Sequence, residues 1–396
     1  MKGDVLLLGA VGAAMVAVPA AAVLWAGQPL LEGLPALTAS APASVSAAAP
    51  QEEPPAESAE SRESGGLIQD AGEGGGGEEP ESRPAQGEEE LFGEEALPDT
   101  VREVWQSPVS TLRIYDQSTG EIAELSLEEY TLYAIAAEMP ADYHLEALKA
   151  QGVAALTYAL DQAITQRSLP EENRDPDLHG ADFAADPGNR RVYMTEETAR
   201  EFYGEQFDYS WSRITQAARA ACQCVALWEG EPIAAAYHAI SAGDTTERAS
   251  NIWGGELPYL VEADSNWDIL APGYKSTVTV SDGELQEILT GAGATLLPDP
   301  VTWLEVEERS PAGYVTAVRA GSLTLHGNEL RNLLGLRSAA FELERVSGGY
   351  TFHVRGYGHG AGLSQAGADY LARQGWTFDE ILLHYYTGVT LARMEK

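Results

Sequence analysis

Apolar and polar positions alternate in blocks along this chain, and the blocks predict its elements. Thr111-Leu-Arg-Ile-Tyr115 has the two-residue period of a strand, followed by a turn at Ser118-Thr-Gly120 and a second short strand over Ile122–Leu125. Ser126-Leu-Glu-Glu129 then reads as a capping box. It starts an apolar helix, Leu127–Glu138, that Met139-Pro140 stops. A second helix is predicted over Leu145–Leu160, where Leu148, Gly152, Ala155 and Ala159 share a face small enough for close packing. Residues 168–192 are polar and turn-rich. Thr195–Gly204 and Trp211–Ala221 look helical, and Cys222–Trp228 turns at Glu229-Gly230 into Pro232–Tyr237 as a hairpin.

Beyond residue 275 the pattern shortens. Strands over Lys275–Val280, Val301–Val306, Val315–Arg319 and Ser322–His326 alternate with helices over Gly283–Thr290 and Gly327–Leu333. This predicts a smaller α+β lobe over 275–346. The chain then returns through Tyr350–Val354 to a glycine turn and two helices, Ser364–Gln374 and Thr377–Tyr386. The fold class expected is α+β and two-lobed, with a mixed helical and antiparallel-sheet main lobe beside this smaller one.

Composition adds what precedes this domain. Residues 5–26 are almost continuously apolar, long enough to span a bilayer, so 1–27 is expected to be a membrane anchor. A cleaved signal peptide is the rival reading. Residues 28–100 are rich in Ala, Pro, Gly and Glu, and positions 51–100 carry sixteen acids against two arginines. Such a segment buries too little apolar area to offset its ordering entropy, which predicts a disordered, self-repelling tether. The globular part is 101–396. The net charge of −37 offers no basic stripe and argues against nucleic acid. The two cysteines, Cys222 and Cys224, would point the same way from one strand about 7 Å apart, too far to bridge easily. Two core thiols are expected, with neither a disulfide framework nor a zinc pattern.

Three segments combine polar groups with backbone freedom. One ends at Glu138. A carboxylate on the last turn of an apolar helix faces the negative end of the helix dipole with little solvation, and both effects would raise its pKa toward the range of a general acid. The same position in most proteins is a solvated surface group. Another segment is His238–Glu247 with Asn251-Ile-Trp-Gly-Gly255 and Tyr259. The last is Gly356-Tyr-Gly-His-Gly-Ala-Gly-Leu-Ser-Gln365, whose alternating glycines read as a tight strand-to-helix turn without the Walker lysine or dinucleotide context. Ser364 stands in no nucleophile elbow. His238 and His359 lack metal-ligand spacing. Together the three suit a carbohydrate cleft of amides, hydroxyls, imidazoles and flat aromatic faces.

In order, these motifs resemble the stage II sporulation protein D family and its amidase-enhancer relatives. Leu127–Leu160 looks like the family's opening motif, His238–Gly255 with Pro258-Tyr-Leu its middle motif, and Gly356–Gly367 with Ile381-Leu-Leu-His-Tyr-Tyr-Thr-Gly388 its C-terminal signature. The resemblance implies a membrane-anchored, extracytoplasmic lytic transglycosylase that cuts peptidoglycan strands stripped of stem peptides during sporulation engulfment. Its implied partners are a cell-wall amidase and a membrane scaffold protein, and no cofactor is implied. Glu138 falls on the catalytic glutamate. Lys149, Thr157, Tyr158, His238, Ser241, Thr246, His359, Ser364 and Gln365 become candidates for substrate binding. The alternative is a glycan-binding activator of an amidase. A hydrolytic muramidase would need a second acid, for which Asp142 and Asp244 are the suggestions. A metal-dependent peptidase is a further, weaker alternative. Two departures stand out. Leu156 occupies a position that is usually arginine. The loop after the second helix has Ala184, Asn189 and Arg190 where some relatives ligate zinc, leaving His179 alone, so no metal is expected.

Overall fold

The computed structural model describes residues 97–395; the predicted anchor and nearly all of the tether fall outside the described residues. Among the described residues no helix is long and apolar enough to cross a membrane. The domain is a mixed α+β structure. It opens with β1 (Glu103–Gln106), β2 (Thr111–Asp116) and β3 (Glu121–Ser126), then α1 (Leu127–Glu138) and α2 (Leu145–Ser168). After β4 (Phe183–Ala185) come α3 (Glu196–Tyr203), α4 (Phe207–Ala221), β5 (Cys224–Trp228), β6 (Glu231–Pro232), β7 (Tyr237–His238) and the single turn α5 (Ser250–Trp253).

The next stretch holds β8 (Lys275–Ser281), α6 (Asp282–Gly291), β9 (Leu304–Arg309), β10 (Val315–Ala320), β11 (Leu323–Leu325), α7 (Gly327–Leu334), β12 (Phe341–Val346) and β13 (Gly349–Arg355). The chain ends through β14 (Leu363–Ser364), α8 (Gln365–Arg373), α9 (Phe378–Tyr385) and β15 (Thr390–Glu395).

The capping box at the start of α1 is formed: Ser126 accepts from the Glu129 amide while the Glu129 carboxylate accepts from the Ser126 amide. Met139 is extended (φ −132°, ψ 137°), as a residue before proline prefers, and this ends the helix at Glu138. The imidazole of His144 caps α2 by accepting from the Glu146 amide. That helix runs eight residues past the expected Leu160, because Asp161–Ser168 contains no breaker before Pro170. Gly152 lets α1 and α4 close on α2: a Cβ there would lie 2.7 Å from Ala221 Cβ and 2.8 Å from Ile135 Cδ1.

Strand β15 joins the two ends of the described domain, pairing in parallel with β1 (Glu103 opposite Ala392) and antiparallel with β5 (Leu227 opposite Thr390). Strand β2 pairs antiparallel with β3 and parallel with β4. The main core includes Leu112, Ile135, Leu148, Leu156, Ile381 and Tyr385. A separate apolar cluster, built on Leu285, Leu289, Val318, Phe341 and Phe352, fills residues 280–354, where β12–β13–β8 and β11–β10–β9 form two three-stranded antiparallel sheets. Strand β13, expected to lead back to the main body, is the centre of the first of these, with Phe352 opposite both Leu343 and Val278.

The hairpin expected to carry both cysteines is shorter than its sequence suggests. Cys222 caps α4 and is half-buried, its thiol 3.4 Å from the Arg219 carbonyl, while Cys224 opens β5 in the core. Only Cys224 is a core thiol, and burial pushes it up to about 12. Helix α4 wins the disputed residue because Ala217, Ala218, Ala220 and Ala221 continue its buried face.

Candidate active site

Glu138 is the last residue of α1 and is 1 % exposed. Two buried phenols lie within reach of its charge. Tyr130, eight residues back on α1, and Tyr237 on β7 are both raised above the ordinary tyrosine range, first by burial and then by the charge of Glu138. The expectation of a solvated surface carboxylate is therefore set aside for this residue. Lys149, on the first turns of α2, is 5 % exposed and holds the Glu146 carboxylate at 2.8 Å. Leu156 is wholly buried in the main core, so the position where relatives usually carry arginine is apolar packing here. The neighbouring Thr157 hydroxyl accepts the Ala226 amide at 3.2 Å, tying α2 to β5. Tyr158 is half-buried and pushed up to about 12 by burial and by Asp161. Burial alone pushes Asp161 up to about 6.

The middle and C-terminal motifs meet where β7 and β14 pair in parallel, Tyr237 beside Leu363 and His238 beside Ser364. His238 is 1 % exposed. Its Nδ1 lies 3.1 Å from the Ala361 carbonyl, which can only accept, so Nδ1 carries the proton and Nε2 accepts from the Ser241 hydroxyl at 2.8 Å. Burial lowers this imidazole to about 4. His359 also sits well below the usual range, by burial and then by the nearby His238 and Arg331. Its Nδ1 accepts the Ala361 amide at 3.1 Å. The two rings stand 5.8 Å apart, and Trp253 tilts over His359 at 5.1 Å. Both histidines are thus neutral hydrogen-bonding groups near pH 7.

Asp268 holds this junction together, and nothing in its sequence context marks it. It is 1 % exposed; its Oδ2 accepts the Ser241 amide at 2.6 Å and the Ser364 hydroxyl. Ser364 in turn caps α8 by accepting from the Gly367 amide at 3.2 Å. Beside it, Gln365 donates to Gln151 of α2 at 3.2 Å, both side chains buried. Thr246 accepts the Ala263 amide at 2.9 Å. Glu247, also 1 % exposed, accepts from the Arg248 amide and from Asn251, each at 2.8 Å. The proposed second acids, Asp142 and Asp244, are both exposed. The buried carboxyls here are Glu138, Glu247 and Asp268 instead. His179 stands outside this group, next to Tyr115. Among the described residues no cluster of three or more metal-ligating side chains forms.

These environments have a pH signature. Burial pushes Asp268 up to about 6 against an ordinary 3.8, with the bonds from Ser364 and Ser241 opposing the shift. The folded state therefore binds this proton more tightly than the unfolded chain, and the resulting stabilisation is present below pH 3.8 and lost as pH rises through 6. His238 acts oppositely: its folded value of about 4 lies below 6.5, so it favours folding above pH 6.5 and loses that contribution as pH falls through 4. Asp268→Asn removes the first effect only. Its Tm minus that of the parent is expected to grow as pH rises from 4 to 6.5, read by thermal scans across that window. A constant difference would contradict this reading.

The model of the stage II sporulation protein family matches residues 115–228, which span Glu138 and all of α2. Stage II sporulation protein D of Bacillus amyloliquefaciens is 33 % identical over 291 residues, covering 73 % of this chain and 80 % of the relative. The chain belongs to the stage II sporulation protein D family. The family's protein from Bacillus subtilis is 30 % identical, with the same coverage of both chains. The Bacillus subtilis amidase enhancer is 26 % identical over 308 residues, 64 % of this chain and 39 % of that relative. Both sporulation protein D matches, over 291 and 289 residues, extend well past the region 115–228 of the family model.

Proposed function

We propose that the protein is a lytic transglycosylase of peptidoglycan, acting on glycan strands stripped of stem peptides, with Glu138 as its single acid/base. The supporting observation is the enclosure of one carboxyl group at the end of α1, beside Tyr130 and Tyr237, in a chain of the sporulation protein D family. The chemistry needs one carboxyl that first donates and then accepts a proton. Glu138 protonates the glycosidic oxygen. The carboxylate so formed takes the proton of the muramoyl 6-hydroxyl, whose oxygen closes on C1 as a 1,6-anhydro ring. The nucleophile belongs to the same sugar, so orientation replaces the second carboxylate that activates water in a hydrolase. The exposure of Asp142 and Asp244 suits this better than a muramidase. The Trp253 face beside His359 supplies a stacking surface for a sugar ring, while His238, its two ring nitrogens bonded to Ala361 and Ser241, holds those groups in place. Residues 5–26 would anchor the protein in the cell membrane with the domain outside, alongside an amidase and a membrane scaffold of the engulfment machinery.

The likeness to an amidase enhancer carries a second reading, in which the domain holds glycan for a partner amidase without cutting it. Digestion of peptide-free glycan strands separates the two. Release of 1,6-anhydro-muramoyl ends is expected; reducing ends would indicate a muramidase. Tight binding with no new ends, together with stimulation of an amidase, would establish the second reading.

A further inference from the structure

A strongly acidic chain gathers three of its 24 basic residues in one cavity far from Glu138. The cavity, of about 280 Å³, lies between β2, the end of α2 and the loop that follows, and Arg113, Arg167 and Arg174 line it. Arg167 is fifteen residues beyond Gly152, the point on α2 that packs against Ile135 one turn before Glu138, and so about 22 Å farther along the helix axis at 1.5 Å per residue. The cavity is therefore separate from the surroundings of Glu138.

The three guanidinium groups are held mostly by neutral partners. Arg113 donates to the Gly180 carbonyl at 2.9 Å, with the exposed Glu124 carboxylate 3.6 Å from its Nε. Arg174 donates to the carbonyls of Leu169 at 3.1 Å and Arg167 at 3.2 Å. Arg167 donates to the Thr111 carbonyl at 2.7 Å and, through Nε and Nη2, to both oxygens of Asp182 at 2.7 and 2.6 Å. Carbonyls orient a guanidinium without cancelling its charge. Asp182, 3 % exposed, is the one buried acid facing the group, and its second oxygen also accepts the Arg113 amide. Three guanidinium groups thus stand against two carboxylates, the buried Asp182 and the exposed Glu124, which leaves the cavity net positive. With five N–H donors on each arginine, these bonds leave donors over on all three. Fixed planar forks with donors to spare are suited to an oxyanion, and their fixed positions reduce the ordering cost of binding one.

We propose that this cavity is an anion subsite for the lactyl carboxylates of peptide-free glycan strands. This rests on the glycan-strand reading above. A muramoyl residue without its stem peptide exposes one carboxylate, and along a strand these repeat, so a remote cationic cavity adds a second contact on the same polymer. The site then favours stripped strands over strands whose lactyl groups are closed as amides.

Binding tests it without turnover. The full chain carrying Glu138→Gln is titrated with labelled peptide-free strands whose lactyl carboxylates are either free or amidated. Free-carboxylate strands are expected to bind at least about tenfold more tightly. Adding Arg113→Gln and Arg174→Gln, whose exposed guanidinium groups make no bond to Asp182, is expected to abolish that preference while leaving amidated strands unaffected. Arg174→Gln alone is expected to give an intermediate result, and it serves if the double variant loses its fold. Equal binding of free and amidated strands, or a preference that survives both substitutions, overturns the assignment. So does displacement of the strand by poly(glycerol phosphate) at lower anion concentration than by free strand, which would make the site one for a phosphate polymer. If the chain with Glu138 intact releases no anhydro ends but the arginine-dependent preference persists, the transglycosylase reading fails and the subsite stands. Release of anhydro ends without that preference overturns the subsite alone.

Discussion

Glu138→Gln is expected to lower the rate of anhydro-muramoyl release about 10²–10⁴-fold, the usual contribution of a positioned general acid–base. Glutamine matches glutamate in shape and retains an acceptor oxygen, but it cannot give up or take the proton that the mechanism moves twice. The loss should therefore appear in kcat, with KM for glycan strands nearly unchanged, because binding is assigned to other groups. Glu138 is 1 % exposed, so the fold must be checked independently: thermal unfolding of the variant should stay within a few degrees of the parent. Undiminished release by Glu138→Gln would remove the acid/base role, whatever else the domain does. A matched fall in kcat and Tm would instead assign the residue to the core.

Where local chemistry decides an element, the sequence was enough. Ser126 and Glu129 set the start of α1 and Met139-Pro140 its end, so Glu138 could be placed on a last turn before any contact was known. The middle and C-terminal motifs could be read as one site because glycines and short polar residues are poor material for a core and cluster where backbones approach. What resisted reading was settled by contacts between distant segments. Asp268 is one acid among many, and only the approach of Ser241 and Ser364 gives it a role. Thr157 and Thr246 resemble sugar ligands on paper, yet their hydroxyls bind the amides of Ala226 and Ala263. The Arg113–Arg167–Arg174 cavity draws on a strand, a helix end and a loop between residues 113 and 182, a grouping with no local signal. Cys222 falls at the end of α4 and not on β5 because a helix end and a strand start compete for the same few residues.

The second large effect is expected at Gly362. Its φ is +70°, a region that costs L-residues about 1–2 kcal/mol, and an added Cβ would lie 2.0 Å from the Ala236 carbonyl oxygen. That oxygen already accepts the Leu363 amide at 3.1 Å and the Tyr386 hydroxyl at 2.9 Å, so the backbone of Ala236 cannot withdraw without giving up both. Overpacking adds a further 1–3 kcal/mol or so. Gly362→Ala is therefore expected to cost about 2–5 kcal/mol in all. The damage is directed: Gly362 immediately precedes β14, whose pairing with β7 sets Ser364 beside His238 and brings its hydroxyl to Asp268. Loss of strand cleavage should accompany the fall in Tm. Gly230→Ala provides the control. Gly230 has φ +89° but nothing within 4 Å of an added Cβ, so only the backbone term of about 1–2 kcal/mol applies. Similar Tm losses in the two variants would mean that the contact with Ala236 relaxes freely. A clear excess at Gly362, with activity lost before the fold, would show that the pairing of the two short strands holds the site in register.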